Sequence, residues 1–238
     1  MTGHVRQSSG RTARCTDRSK PGSVIQSRAL VARGNSAQAA KLIRKIWRNE
    51  ALDKPFEDKI LAEFSGLLSP ADHKARMDYL LYRDRTAQAK HFGDLGKAQS
   101  LYKAWAAVND HSAKADGLIA AMDAQWRKDP AYLFMRIENL RRQNKYDDAA
   151  NLLAQMPRDR SALVDPGQWW NEQRIVSRGL VDQGEFKAAY GVVDANVAES
   201  PQDVGEAEFH AGWYALRGLQ DGATAAMHFR KILQVSNG

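Results

Sequence analysis

Four segments of this chain repeat one pattern: a leucine, a break four residues on, then a small residue and, behind it, an apolar one. The copies are Leu30, Gly34, Ala39, Ile43; then Leu140, Asn144, Ala149, Leu153; then Leu180, Gly184, Ala189, Val193; and last Leu216, Gln220, Ala225, Phe229. The middle two match best, LRRQNKYDDAANLL against LVDQGEFKAAYGVV, with Tyr146 and Phe186 two residues past the break. A helix that ends at a turn, followed by a helix whose alanine permits close approach, produces this pattern. Each such hairpin leaves an apolar face that only a neighbouring hairpin can cover. The expectation is an all-α fold, a right-handed superhelix or solenoid of tetratricopeptide-like antiparallel hairpins. Successive copies are 110, 40 and 36 residues apart, which excludes a strict tetratricopeptide array.

Charge is unevenly divided. Residues 1–48 hold 11 Lys and Arg against the single acid Asp17, whereas residues 49–238 hold 24 basic and 27 acidic side chains. A nucleic-acid binder needs an excess of basic charge on its folded part, and the body has none, so no nucleic-acid partner is expected. Cys15 is the only cysteine, which excludes an intrachain disulfide and a cysteine-based zinc site. No apolar run approaches membrane-spanning length. Residues 1–22 lack the apolar core of a secretory signal, so the protein stays in the cytoplasm or the given start is not that of an exported form.

Residues 1–22 read as a disordered basic tail and 23–238 as one helical domain. Helices are expected over 23–33, 36–49, 55–68, 69–84, 86–92, 96–108, 113–122, 130–143, 146–156, 168–183, 185–199, 202–217 and 222–235. Ser69 with Pro70 is an N-cap followed by a first-turn proline. The stretch 157–167, PRDRSALVDPG, has proline near both ends and is the expected bend or sub-boundary. The final helix carries an apolar stripe at Phe229, Ile232 and Leu233 with nothing after it to cover the far side, as if an array were cut short.

Signatures of chemistry are sparse. Gly93 to Lys97 is too short for a phosphate-binding loop, and neither GxSxG nor HExxH occurs. The six histidines are scattered, and His210 has no histidine or carboxylate three or four residues on, so neither metal nor cofactor is expected. Asp147 with Asp148 and Glu206 with Glu208 are paired acids on helices, but no apolar pocket is identified that would raise a pKa for acid catalysis. Trp169 and Trp170 are adjacent in the first turn of a helix, with Arg174 one turn beyond. Two roles fit them. Both indoles close the gap between adjoining hairpins, or one stands partly exposed to stack on a sugar ring while Arg174 holds an acidic group.

The C-terminal half, QWWNEQRIVSRGLVDQGEFKAAYGVV and AEFHAGWYALRGLQDGATAAMHFRKIL, resembles the superhelical region of soluble lytic murein transglycosylases. PAYLFMRIENLRRQNKYDDAANLLAQMP is similar to the same region upstream, and the words that carry most are Glu208 to Trp213, Ala225, His228 and Phe229. The resemblance implies a periplasmic domain that contacts peptidoglycan strands ahead of a lysozyme-like domain, whose single glutamate, in a Glu-Ser pair ahead of Gly-Leu-Met-Gln, cleaves the glycan. Here the only Glu-Ser pair is Glu199 and Ser200, at a helix end, and Gly-Leu-Met-Gln is absent, so no catalytic residue is carried over. The resemblance therefore implies a truncated, non-cleaving homologue in cell-wall turnover. The alternative is a tetratricopeptide-like scaffold with a protein partner on its concave face.

Overall fold

Helix starts are encoded as an oxygen-bearing side chain followed closely by proline. The computed structural model describes residues 20–157 and 159–236. Pro55, Pro70, Pro130, Pro166 and Pro201 each lie in the first turn of a helix. Asp53, Ser69, Asp129, Asp165 and Ser200 cap those helices by accepting a backbone N–H. Proline removes one donor that would be orphaned at a helix start, and the cap oxygen satisfies another. Ser69 and Asp72 form a complete capping box.

Among the described residues there are thirteen α-helices, three short 3₁₀ turns and no strand. The all-α class is as expected. Residues 1–19, with Cys15 and most of the expected disordered tail, lie outside the described residues; residues 20–22 are helical.

The chain divides into two compact units after Leu68. The sequence suggested no boundary there, and the stretch 157–167 falls inside the second unit. The break is local: after the 3₁₀ turn Ser65–Leu67, Leu68 is extended and the Ser69 capping box starts a new helix. The first unit holds α1 (Lys20–Ala32), α2 (Ser36–Asn49) and α3 (Lys54–Phe64), with Ala39, Ile43, Trp47, Ile60 and Phe64 buried. Arg28 forks onto Glu63 at 2.6 and 2.7 Å.

The second unit runs α4 (Pro70–Leu81), α5 (Thr86–Leu95), α6 (Gln99–Asn109), α7 (Ala115–Ala120), α8 (Pro130–Arg142), α9 (Tyr146–Leu153), α10 (Pro166–Asp182), α11 (Phe186–Asp194), α12 (Pro201–Arg217) and α13 (Gly222–Ser236). The helix α10 starts at Pro166, two residues before the expected start, because Asp165 and Pro166 are the same start signal as Ser69 and Pro70. Each hairpin packs on the next: α8, α10 and α12 lie side by side, as do α9 and α11.

All four break residues adopt left-handed backbone: Gly34, Asn144, Gly184 and Gln220 have φ of 75°, 57°, 85° and 55°. At the first three, the next N–H returns to the leucine carbonyl, as from Glu185 to Leu180 at 2.8 Å, and the break N–H bonds three residues back. This closes the helix end with its own carbonyls. The same bonds recur at Asp84, Lys97 and His111, with φ of 55°, 53° and 53°. Leu80, Asp84 and Ala89 thus form a further copy of the pattern, missed because Gly93 stands where an apolar residue was required.

The fourth copy is shifted by one residue. Asp221 N–H reaches the carbonyl of Ala215, not Leu216. The turn is one residue longer, so Ala215 is fully buried and Leu216 is 46% exposed. The alanine of the second helix keeps its role: Ala39, Ala89, Ala149, Ala189 and Ala225 are all within 2% of complete burial.

The aromatics after the breaks lock one hairpin to the next. A methyl group on Gly179 of α10 would sit 2.5 Å from the Tyr146 ring, and one on Gly218 would collide with Phe186. Each ring lies flush on a stretch of backbone that only glycine leaves bare. The helix α11 ends at Asp194, five residues sooner than expected. Gln173 of α10, 1% exposed, replaces the missing helical bonds: its Nε2 donates to Val192 and Ala195 carbonyls at 3.2 and 3.0 Å, and its Oε1 accepts Val197 N–H at 3.2 Å.

Candidate functional site

Trp169 and Trp170 are 0% and 2% exposed, so the expectation that one stands partly open is not met. Neighbouring positions on a helix point about 100° apart. Here α10 is flanked by α8 and α9 on one side and by α11 and α12 on the other, which covers both directions. Trp169 meets Phe134 edge-on at 5.1 Å, and Phe134 packs on Tyr82 at 4.4 Å and Trp105 at 5.9 Å. Neither indole has a free ring face for a sugar. Arg174 lies elsewhere: its guanidinium reaches Glu206 of α12 at 3.0 Å and Asn171 at 2.6 Å. Arg178 joins the same carboxylate at 3.1 Å and donates to His210 Nε2 at 3.1 Å. His210 Nδ1 then carries its proton toward the Glu206 carbonyl at 2.8 Å, and burial lowers its pKa. The three sequence candidates do not converge on one site.

Two carboxyl groups have the pKa that acid catalysis needs. Burial pushes Asp78 up to about 7 despite Lys74 Nζ at 2.6 Å, and burial with the nearby Glu172 charge pushes Glu138 up to about 7 despite Arg142 at 2.6 Å. Lys74 also grips Asp129 at 2.6 Å, and Arg141 forks onto Glu172 at 2.8 and 2.6 Å. Asp78 and Glu138 are 2% and 6% exposed, and neither lines the clefts described below. Their ion-pair networks tie helices together, Lys74 joining α4 to the Asp129 cap of α8 and Arg141 joining α8 to α10.

Glu208, His228 and Tyr190 form a chain: His228 Nδ1 lies 2.6 Å from Glu208 and Nε2 lies 3.1 Å from the Tyr190 hydroxyl. The geometry matches a nucleophile, base and orienting acid. Yet burial and the Asp194 charge raise the Tyr190 pKa, which is opposite to activation, and His228 is 1% exposed. The chain pins α11 to the last hairpin. No group of three or more His, Cys, Asp or Glu able to hold a metal occurs among the described residues.

Among the open features of the second unit is a groove beside α8. One cleft of about 340 Å³ is lined by Asp116, Arg127, Tyr132, Arg136 and Lys145 among others, and a second of about 370 Å³ shares Arg127, Tyr132 and Arg136 and adds Lys128, Leu133, Leu152 and Pro157. The 3₁₀ turn Ala124–Lys128 presents Arg127 and Lys128 just before the Asp129 cap of α8. Arg136 stands one turn along from Tyr132, in reach of its hydroxyl at 3.0 Å. Sequence reasoning passed over this groove because it has no motif. A charge count would have found it: residues 124–145 hold six basic and two acidic side chains in a body that is otherwise acidic.

Fold and site together define an all-helical hairpin protein with a basic groove and no assembled catalytic centre among the described residues. No family model, curated protein or solved structure matches the chain.

Proposed function

We propose that this chain is a non-catalytic binding scaffold, a solenoid-like array of tetratricopeptide-type hairpins that holds a segment of a protein partner. The observation that supports it is the separation of two properties. The carboxyl groups with raised pKa are sealed inside the fold, while cations stand open along a groove. Side-by-side packing of α8, α10 and α12 is the arrangement such arrays use to present one continuous surface.

A second reading follows the sequence resemblance: a truncated relative of soluble lytic murein transglycosylases that binds peptidoglycan strands in the periplasm without cutting them. The run Glu208 to Trp213 favours it, and Phe209 and Trp213 are 52% and 38% exposed, open to a ligand as Trp169 and Trp170 are not. No helix among the described residues is long and apolar enough to cross a membrane, which fits either reading.

Purified sacculi separate them. In a zymogram the expected result is no clearing, and clearing refutes both readings. In sedimentation with sacculi, the scaffold reading expects the chain to stay in the supernatant, whereas retention lost in a Phe209→Ser, Trp213→Ser variant establishes the second.

A further inference from the structure

We infer that the groove beside α8 is the docking site for an acidic, extended peptide segment with apolar side chains between its carboxylates. The inference rests on the scaffold reading and names the chemistry of its partner. Four cations face the groove, Arg127, Lys128, Arg136 and Lys145, and none has a carboxylate within ion-pair distance among the described residues. The two acids on its walls bond to other groups, although the Asp116 charge also feels Lys145 and Arg136 beyond ion-pair distance. Asp129 holds Lys74 at 2.6 Å and caps Ala131 N–H at 2.9 Å, and Asp116 accepts from Asn139 at 2.7 Å and from Gln143.

Elsewhere in this unit Lys74, Arg141, Arg142, Arg174 and Arg178 are paired with acids. Other cations, such as Lys103 and Lys187, stand outside these clefts, whereas the groove gathers four on one lining. Hydrogen-bonding capacity remains as well, since a guanidinium carries five N–H donors and Arg136 spends one on Tyr132.

The floor selects the class of anion. Leu133, Leu152, Pro157 and the Tyr132 ring line the second cleft, so carboxylates must alternate with apolar groups to fill it. A continuous phosphate backbone fits less well, because Asp116 interrupts the cations and the acidic pair Asp147 and Asp148 opens α9 beside Lys145. Separate carboxylates on a peptide avoid those positions.

The test uses the full chain and fluorescence anisotropy with three labelled probes: a short peptide of alternating glutamate and leucine, its lysine counterpart, and an oligothymidylate of equal length. The glutamate probe is expected to bind and to weaken steeply as salt is raised, with no binding of the lysine probe. An Arg127→Ser, Lys128→Ser, Lys145→Ser variant should lose about tenfold in affinity, the sum of three modest ion pairs, with an unchanged unfolding transition. A Lys103→Ser, Lys187→Ser variant, altered outside the groove, should bind as the parent does. Equal binding by the triple variant overturns the groove while leaving the scaffold reading intact. Tighter binding of the oligothymidylate, or no binding of the glutamate probe at low salt, also overturns it. Clearing of sacculi overturns the scaffold reading independently of all three probes.

Discussion

Replacing Gly179 with alanine tests whether hairpins are locked by rings lying on bare backbone. The new methyl carbon would sit 2.5 Å from three atoms of the Tyr146 ring, more than an ångström inside the ~3.5–4.0 Å at which carbon atoms rest. Two effects oppose each other. Alanine is favoured over glycine inside a helix by about 1 kcal/mol, and crowding a packed site costs about 1–3 kcal/mol. Tyr146 has little freedom to retreat: its hydroxyl donates to Asn144 at 2.9 Å, and its backbone opens α9 straight after the turn. Crowding therefore wins, by about 2 kcal/mol at the upper end of that range.

Urea denaturation followed by far-ultraviolet circular dichroism reads the loss, with a fall in Tm of roughly 4–8 °C for a domain of this size. The second arm removes the ring. In a Tyr146→Ala background the collision is gone and the helix preference remains, so Gly179→Ala should be neutral or slightly stabilising there. The double-mutant cycle then shows a coupling of about 2 kcal/mol. If the substitution costs the same in both backgrounds, or stabilises the chain with Tyr146 present, the ring is not what the glycine accommodates.

Asp78 binds its proton more tightly folded, at about 7, than unfolded, near 3.8, so its contribution to stability is full below the unfolded value and lost as pH rises toward 7. Urea midpoints between pH 4 and 7 should therefore fall in the parent relative to Asp78→Asn; a parallel pair of curves would contradict this. Gln173→Ala leaves the end of α11 with carbonyls of Val192 and Ala195 and the Val197 N–H unpartnered, and should cost about 1–3 kcal/mol per buried group left open, with faster amide exchange confined to residues 192–197. Leu180→Ala, at a buried turn leucine, should cost about 2–5 kcal/mol. Leu216→Ser, at the matching sequence position but exposed, should change stability by no more than about 0.5 kcal/mol, and a loss comparable to that at Leu180 would restore the unshifted register.

Helix positions were legible wherever a chemical start or stop was written locally. Ser36–Asn49 is reproduced residue for residue, and Ser69, Pro130 and Pro201 mark starts through caps and proline that act within one turn. The breaks were legible as breaks for the same reason. What escaped depended on distant partners. The early end of α11 is set by Gln173 some twenty residues upstream, and nothing in GVVDANVAES announces it. The shift at Leu216 arises from one extra turn residue that leaves the spacing pattern intact while rotating the side chains. Of the two roles that the sequence left open for the tryptophan pair, burial agrees with closing the gap between hairpins, and a single helix could not decide this because the neighbours on both sides set exposure. Tyr146 and Phe186 were visible as a repeated aromatic, but their seats, Gly179 and Gly218, belong to the following hairpin.

Of the seven left-handed corners among the described residues, only Gly34 and Gly184 are glycine, and Asp84, Lys97, His111, Asn144 and Gln220 each hold a Cβ against the following carbonyl. That conflict costs about 1–2 kcal/mol for an ordinary side chain, less for asparagine or aspartate. The fold thus operates below its attainable firmness, with slack stored at Lys97, His111 and Gln220. An engineer wishing to harden this protein would begin at those bends and leave its interior untouched.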